Sequence, residues 1–403
     1  MGELFVCVDT YMMRQPAVSH ARPLRALAIS RHSNIPHTMP RPSVCVVSRV
    51  AGLSAALSTR GLTGPWLRIL DADKPDMNAL ASAEVLVGEP ALCGPLVDQM
   101  PQLEWLQSTF AGCNQLLTAS ERRDYTATRL AGCFGASSGH QMHAARVSLG
   151  CSSLTPRLAL ARIAGPDMAE YTMLHILALE REYDAQRSAQ AQRIWHETRA
   201  EGSPGSSYRR LPTLTLGVLG LGDIGSDIAR TAAIGHRMKV IGCRRNPAPR
   251  DTDGAAGVSK VYGLDQLSDF LGASDYIVSV LPSTPQTRGM LDGGVLAGAA
   301  ERTAGSRPPV LINVGRGDLL SEATILEGLD KGWLSHFVGD VYNPEPLAAD
   351  SPLWLHPKVT VTPHNSAVTQ PSDVVEAFAA NLDRFEEGGV NGLHNIFNWE
   401  AGY

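Results

Sequence analysis

The sequence predicts an α/β protein built on two doubly wound parallel sheets, and three observations carry that prediction. An apolar run, Leu216 to Leu219, opens into glycines at Gly220, Gly222 and Gly225. Short apolar runs alternate with helical stretches from Val44 onward, and most of the later ones are apolar on both faces. Strands buried on both faces belong to parallel sheets covered by helices. A chain of 403 residues, 44% hydrophobic and 19% charged, is long enough for two such domains.

The first 42 residues differ in composition from the rest. They hold Arg14, Arg22, Arg25, Arg31 and Arg41 with three histidines, against Glu3 and Asp9 alone. This resembles an organellar transit peptide, although a disordered leader or a true start at Met39 accounts for it equally. The expected compartment is therefore cytoplasmic, or organellar if the leader is a transit peptide.

Candidate strands follow at Val44–Ser48, Leu67–Leu70, Val85–Gly88 and Leu103–Gln107. The last of these leads into Thr109-Phe110-Ala111-Gly112-Cys113, a small-residue turn whose backbone N–H groups can face an anion, with Gly112 allowing close approach. A helix is expected from Met168 to about Arg181. At the glycine turn, Gly220 permits the bend, Gly222 lets backbone approach a diphosphate, and Gly225 lets the next helix pack closely. Asp223 and Ile224 complete that turn, and the helix N-terminus faces the anion.

A second apolar run, Met238 to Gly242, sits where such a fold reads the adenosine ribose. An NAD site offers Asp or Glu there; this chain offers Cys243, Arg244 and Arg245. Two guanidiniums suit a 2'-phosphate, so NADP(H) is favoured, with NAD(H) possible. Further strands are expected at Tyr276–Leu281, Val310–Val314, Phe337–Val341 and Val359–Thr362, and a helix from Pro371 to Glu387. Ligands of open parallel sheets gather beyond the carboxyl ends of strands, so site residues should lie there.

Composition narrows the partners. A formal charge of −5 and a pI near 6.2, with no basic run interleaved with aromatics, argue against nucleic acid. Seven scattered cysteines with no C-x-x-C pair point to neither a metal site nor a disulfide framework. No apolar stretch approaches the roughly 20 residues of a membrane span.

Three motifs then occur in order: Ile312-Asn313-Val314-Gly315-Arg316-Gly317, Asp340-Val341-Tyr342-Asn343-Pro344-Glu345-Pro346-Leu347 and Val361-Thr362-Pro363-His364. With the glycine turn they make the chain resemble the D-isomer-specific 2-hydroxyacid dehydrogenases, from Ala83 to about Gly392. Tyr208-Arg209-Arg210-Leu211 and the Arg-Arg pair look like its glyoxylate/hydroxypyruvate reductase branch. The resemblance implies a Rossmann cofactor domain (166–364) inserted into a flavodoxin-like substrate domain (43–135 and 365–403), and a homodimer.

The chemistry can be argued from the residues too. Reducing a 2-keto acid needs a cation for the carboxylate and ketone, an acid to protonate the forming alkoxide, and a hydride donor. Arg316 can meet a carboxylate in two bonds, His364 can act as general acid and base, and Glu345 can orient and charge the imidazole. The resemblance implies that Ala111 and Gly112 bind the substrate carboxylate with Arg316 and His364. The Val87-Gly88-Glu89-Pro90 loop is expected to line the same cleft. Leu281, Pro282, Val314, Gly315, Asp340 and Ser366 are implied as further cofactor contacts, Asp340 near the nicotinamide amide unless it is a loop cap.

One segment departs from the family pattern. Ala136 to Gly165 intervenes between Gly135 and Pro166, holds no Asp, Glu or Lys, and resembles the leader in composition. A retained intron or wrong gene model would produce it; a genuine surface insertion is the competing reading. The expected function is NADPH-dependent reduction of glyoxylate or hydroxypyruvate. A nucleotide-sensing transcriptional co-regulator of the same fold, or an inactive product of the insertion, are the alternatives.

Overall fold

The computed structural model describes residues 41–130, 164–195, 208–302, 307–400 and 402. The leader, apart from Arg41 and Pro42, and the atypical segment up to residue 163 lie outside the described residues.

The chain forms two all-parallel sheets. The first contains β1 (Val44–Val47), β2 (Leu67–Ile69), β3 (Val85–Gly88), β4 (Trp105–Ser108) and β5 (Thr126–Thr128), in the order β2-β1-β3-β4-β5. That is the flavodoxin-like order. Every residue of β1, β3 and β4 is buried, Gln107 and Ser108 among them, whereas the edge strand β2 is largely exposed.

The second sheet contains β6 (Thr215–Leu219), β7 (Lys239–Cys243), β8 (Val258–Tyr262), β9 (Tyr276–Ser279), β10 (Val310–Asn313), β11 (His336–Gly339) and β12 (Val359–Val361). Their order is β12-β11-β10-β9-β6-β7-β8. The winding reverses between β6 and β9, and the crevice beyond their carboxyl ends is where such sheets take ligands. β5 and β8 were not expected from the sequence. β5 is three residues long, and β8 is an edge strand that shows Ser259 and Lys260 to solvent, so neither carries an apolar run.

Two helices tie the sheets together. The Gly165–Glu180 helix starts earlier than expected, with Pro166 in its first turn, so Gly165 belongs to the helix rather than to the atypical segment. Ala164 packs on the core under the first sheet, while Ala169, Met173 and Ile176 lie in the core under the second. The C-terminal helix, Pro371–Gly388, returns to the first sheet. Its Val374, Val375, Phe378, Ala379 and Leu382 are buried against Val44, Leu57 and Trp105, and Phe378 stacks on Trp105 at 5.5 Å. Such a ring pair adds about 1 kcal/mol beyond its buried area. After that helix the chain pairs beside β5, where Phe397 N–H donates to Ala127 O at 2.8 Å. No helix among the described residues is long and apolar enough to cross a membrane.

Candidate active site

The glycine turn has the form its spacing predicts. Gly220 has φ +107°, and a Cβ on Gly225 would lie 2.0 Å from Gly220 O, so any side chain there would push the Asp223–Arg230 helix off β6. Gly222 faces open space, Asp223 is exposed at the start of the helix and Ile224 is half-buried. The first N–H groups of that helix therefore front an accessible surface at the carboxyl end of β6. Leu281, just past β9, packs against Gly220, and the Pro282 carbonyl accepts from Thr287 Oγ1 at 2.6 Å.

Arg316 follows β10 on a turn braced by Asn313. The Asn313 amide donates to Arg316 O at 2.9 Å and accepts from Gly315 N–H at 3.3 Å. This brace was legible only as part of the motif. The guanidinium reaches across to the first sheet, where a Cβ on Gly112 would lie 1.6 Å from Arg316 Nη2. The turn after β4 and the turn after β10, distant in sequence, thus meet at one point, with Ala111 beside it half-buried. Burial pushes the Arg316 pKa down, against the opposing pull of Glu345, Asp318 and Cys113. An arginine nevertheless stays protonated.

Glu345 Oε2 lies 3.0 Å from His364 Nδ1, and its Oε1 accepts from Tyr342 N–H at 2.9 Å. The imidazole is about half exposed, so its other nitrogen can meet a ligand. His364 has φ +52°, a left-handed conformation that costs a non-glycine residue about 1 kcal/mol. The loop compensates: His364 N–H donates to Asp340 O at 2.9 Å. The Asp340 carboxylate accepts from Asn365 N–H and Ser366 N–H, both at 2.9 Å, and from Thr362 Oγ1 at 2.6 Å. Burial would raise its pKa, but the hydrogen bonds from Ser366 and Thr362 outweigh it and hold the carboxyl below the usual range.

Three of the expected cofactor residues are largely buried. Arg244 is 7% exposed, and its guanidinium is spent on Asp253 (2.6 and 2.8 Å) and on the carbonyls of Asn246 and Ala248. It frames the loop after β7 and is not an open fork for a phosphate; Arg245, next to it, is exposed. Val314 is 2% exposed within the core, and its N–H donates to Ser279 O at 3.1 Å. Asp340 has no accessible surface and acts as the cap of the loop that carries His364, with Ser366 buried beside it. A cavity of about 420 Å³ opens beside the Arg316 turn, lined by Gly317, Asp292, Asp318, Glu322 and Asn343.

Two parallel sheets of these orders, a glycine turn at their winding reversal and an arginine, carboxylate and histidine at the strand ends define a two-domain α/β protein of the Rossmann class. The comparisons specify it. Residues 173–366 match the family model for the D-isomer specific 2-hydroxyacid dehydrogenase NAD binding domain. A solved D-isomer specific 2-hydroxyacid dehydrogenase family protein from Aeromonas salmonicida is 34% identical, with 89% of this chain and all of that one covered at a TM-score of 0.69. The chain belongs to the D-isomer-specific 2-hydroxyacid dehydrogenase family. It is also similar to an NADPH-dependent glyoxylate/hydroxypyruvate reductase from Sinorhizobium meliloti, solved with NADP and sulfate, at 27% identity and a TM-score of 0.68 over 89% of this chain and 99% of that one. Glyoxylate/hydroxypyruvate reductase A of an Enterobacter species is 31% identical over 56% of this chain and 65% of its own length, so the chain spans just under two thirds of that relative.

Proposed function

We propose that this protein reduces a small 2-keto acid, glyoxylate or hydroxypyruvate, to the 2-hydroxy acid with NADPH. The observation that carries the reading is the convergence of Arg316 on Gly112 with the 3.0 Å His364–Glu345 pair. The similar proteins named as glyoxylate/hydroxypyruvate reductases support the substrate class.

The residues present fit a dinucleotide. Gly220, Gly222, Asp223, Ile224 and Gly225 would take the diphosphate, with Leu281, Pro282 and the backbone of Val314 and Gly315 along the crevice. Arg245 would meet a 2'-phosphate, with Arg244 framing its loop. When bound, NADPH supplies the hydride. The first sheet with the C-terminal helix (43–135 and 365–403) would hold the acid, the second (166–364) the cofactor.

Arg316 and the N–H groups at Ala111 and Gly112 would bind the carboxylate and orient the ketone, since a planar fork and a backbone turn can share one anion. With Nδ1–H donated to Glu345, His364 presents Nε2 to the oxygen that must gain a proton on reduction and lose it on oxidation. Leu174, Leu177, Tyr183, Ile194, Trp195 and Tyr208 are large apolar side chains exposed on and after the Gly165–Glu180 helix, a surface suited to a second copy in a homodimer. Light scattering on the full chain and on Trp195→Glu tests the dimer.

For the activity, NADPH or NADH oxidation is followed with glyoxylate, hydroxypyruvate and pyruvate offered separately. Turnover of either of the first two, faster with NADPH, supports the reading. NADPH binding without turnover of any of them would sink it.

A further inference from the structure

Tyr171 stands on the helix that starts at the first core and runs along the second, and the activity proposed above leaves it unused. Its hydroxyl lies 2.6 Å from Thr362 Oγ1, across 191 positions of sequence. Thr362 Oγ1 in turn donates to Asp340 Oδ1 at 2.6 Å. An ionised carboxylate only accepts, so the direction is determined: Thr362 gives its one proton to Asp340 and must accept from Tyr171. Gly339 O, 3.4 Å from Thr362 Oγ1, is the weaker competitor for that proton.

The chain of donors ends where the candidate acid–base residue begins. Asp340 takes the N–H groups of Asn365 and Ser366 on its carboxylate and that of His364 on its backbone carbonyl. Those bonds hold the loop that keeps His364 at φ +52° and its Nδ1 on Glu345. Burial pushes the Tyr171 pKa up, well past any working pH, so its hydroxyl remains a donor. The ring is held in place by His175, whose centroid is 4.4 Å away. Hydrogen bonds in series polarise one another, and the middle member of such a chain is oriented by both ends.

We infer that Tyr171 is a positioning residue for His364, acting through Thr362 and Asp340 to register the acid–base loop against the helix that joins the two domains. The inference rests on the reading of His364 as the general acid and base. The Tyr171 hydroxyl is bonded to Thr362, not to Arg316, Gly112 or the glycine turn, so losing that donor should leave cofactor binding intact and show in kcat.

The test uses the full chain with NADPH and the preferred 2-keto acid. Tyr171→Phe keeps the ring on His175 and removes the donor; kcat should fall about tenfold, the worth of one hydrogen bond to a charged network, with KM and NADPH affinity by nucleotide fluorescence unchanged. Thr362→Val should give a similar loss, Thr362→Ser should restore kcat, and Tyr171→Phe with Thr362→Val should be no worse than either alone, because the two act in one series. Wild-type kcat in Tyr171→Phe, or a change in melting temperature alone, overturns the positioning role while the acid–base reading stands if His364→Asn still abolishes turnover. Wild-type turnover by His364→Asn overturns both. Should Tyr171→Phe fail to fold, equal losses in Thr362→Val and Thr362→Ser would overturn the relay, and rescue by serine alone would support it.

Discussion

The guanidinium of Arg316 fills the space over Gly112 that a side chain would need, with Nη2 1.6 Å from where a Cβ would stand. Gly112→Ala must therefore move the arginine or the turn. Displacing a substrate-positioning fork by about 1 Å costs roughly 100-fold, and kcat/KM for the 2-keto acid should fall by about that factor with NADPH affinity unchanged. A variant with wild-type kcat/KM would show that the contact does not shape the substrate site.

The His364–Glu345 pair predicts two graded losses. His364→Asn should lower kcat by about 100- to 10,000-fold, the usual contribution of a positioned acid or base. Glu345→Gln can still accept from Tyr342 N–H but loses its charge, so a smaller loss, about 10- to 100-fold, is expected. Equal kcat in Glu345→Gln and wild type would remove Glu345 from the site.

At the cofactor end, the two arginines should separate. Arg245→Ala should weaken NADPH about 10- to 100-fold, as removing hydrogen bonds to a charged group does, while NADH changes little. Arg244→Ala breaks the frame around Asp253 and should lower the melting temperature and weaken both nucleotides alike. Titrations in which Arg244→Ala alone loses NADPH preference would reverse the assignment.

The fold carries its own pH dependence. His336 Nε2 lies 3.0 Å from Thr360 Oγ1, and burial, with Arg307 and His175 nearby, pushes its pKa down to about 4 from an ordinary 6.5. Between those values the unfolded chain binds a proton that the folded chain refuses, so stability is full above about 6.5 and drops as pH falls toward about 4. Burial lowers His175 in the same direction. Thermal unfolding at pH 7 and pH 5 should show the drop, and His336→Gln should reduce it; an undiminished drop in that variant would assign it elsewhere.

Several of the candidate residues stand out in the sequence because their patterns are local. The glycines after β6 act within one turn, and Arg316, Glu345 and His364 stand at strand ends that their own apolar runs announce. Along the chain Arg244 with Arg245 resembles a phosphate fork, and only the fold brings Asp253 onto Arg244. Asp340 sits in a motif that implies a cofactor contact or a loop cap, and its carboxylate takes the N–H groups of Asn365 and Ser366 beyond His364. β8 escaped notice because an edge strand needs no continuous apolar face.

By itself the sequence determined the parallel α/β class, the position of the glycine turn and most of the strands, because period, burial pattern and turn chemistry are properties of neighbours along the chain. Tertiary structure alone decided which turns meet. That Arg316 lies over Gly112, that Tyr171 reaches Thr362 across 191 positions, and that Arg244 is spent on Asp253 follow from how two sheets and the helices between them pack. Contacts of that kind depend on close packing of distant surfaces, which no local pattern encodes.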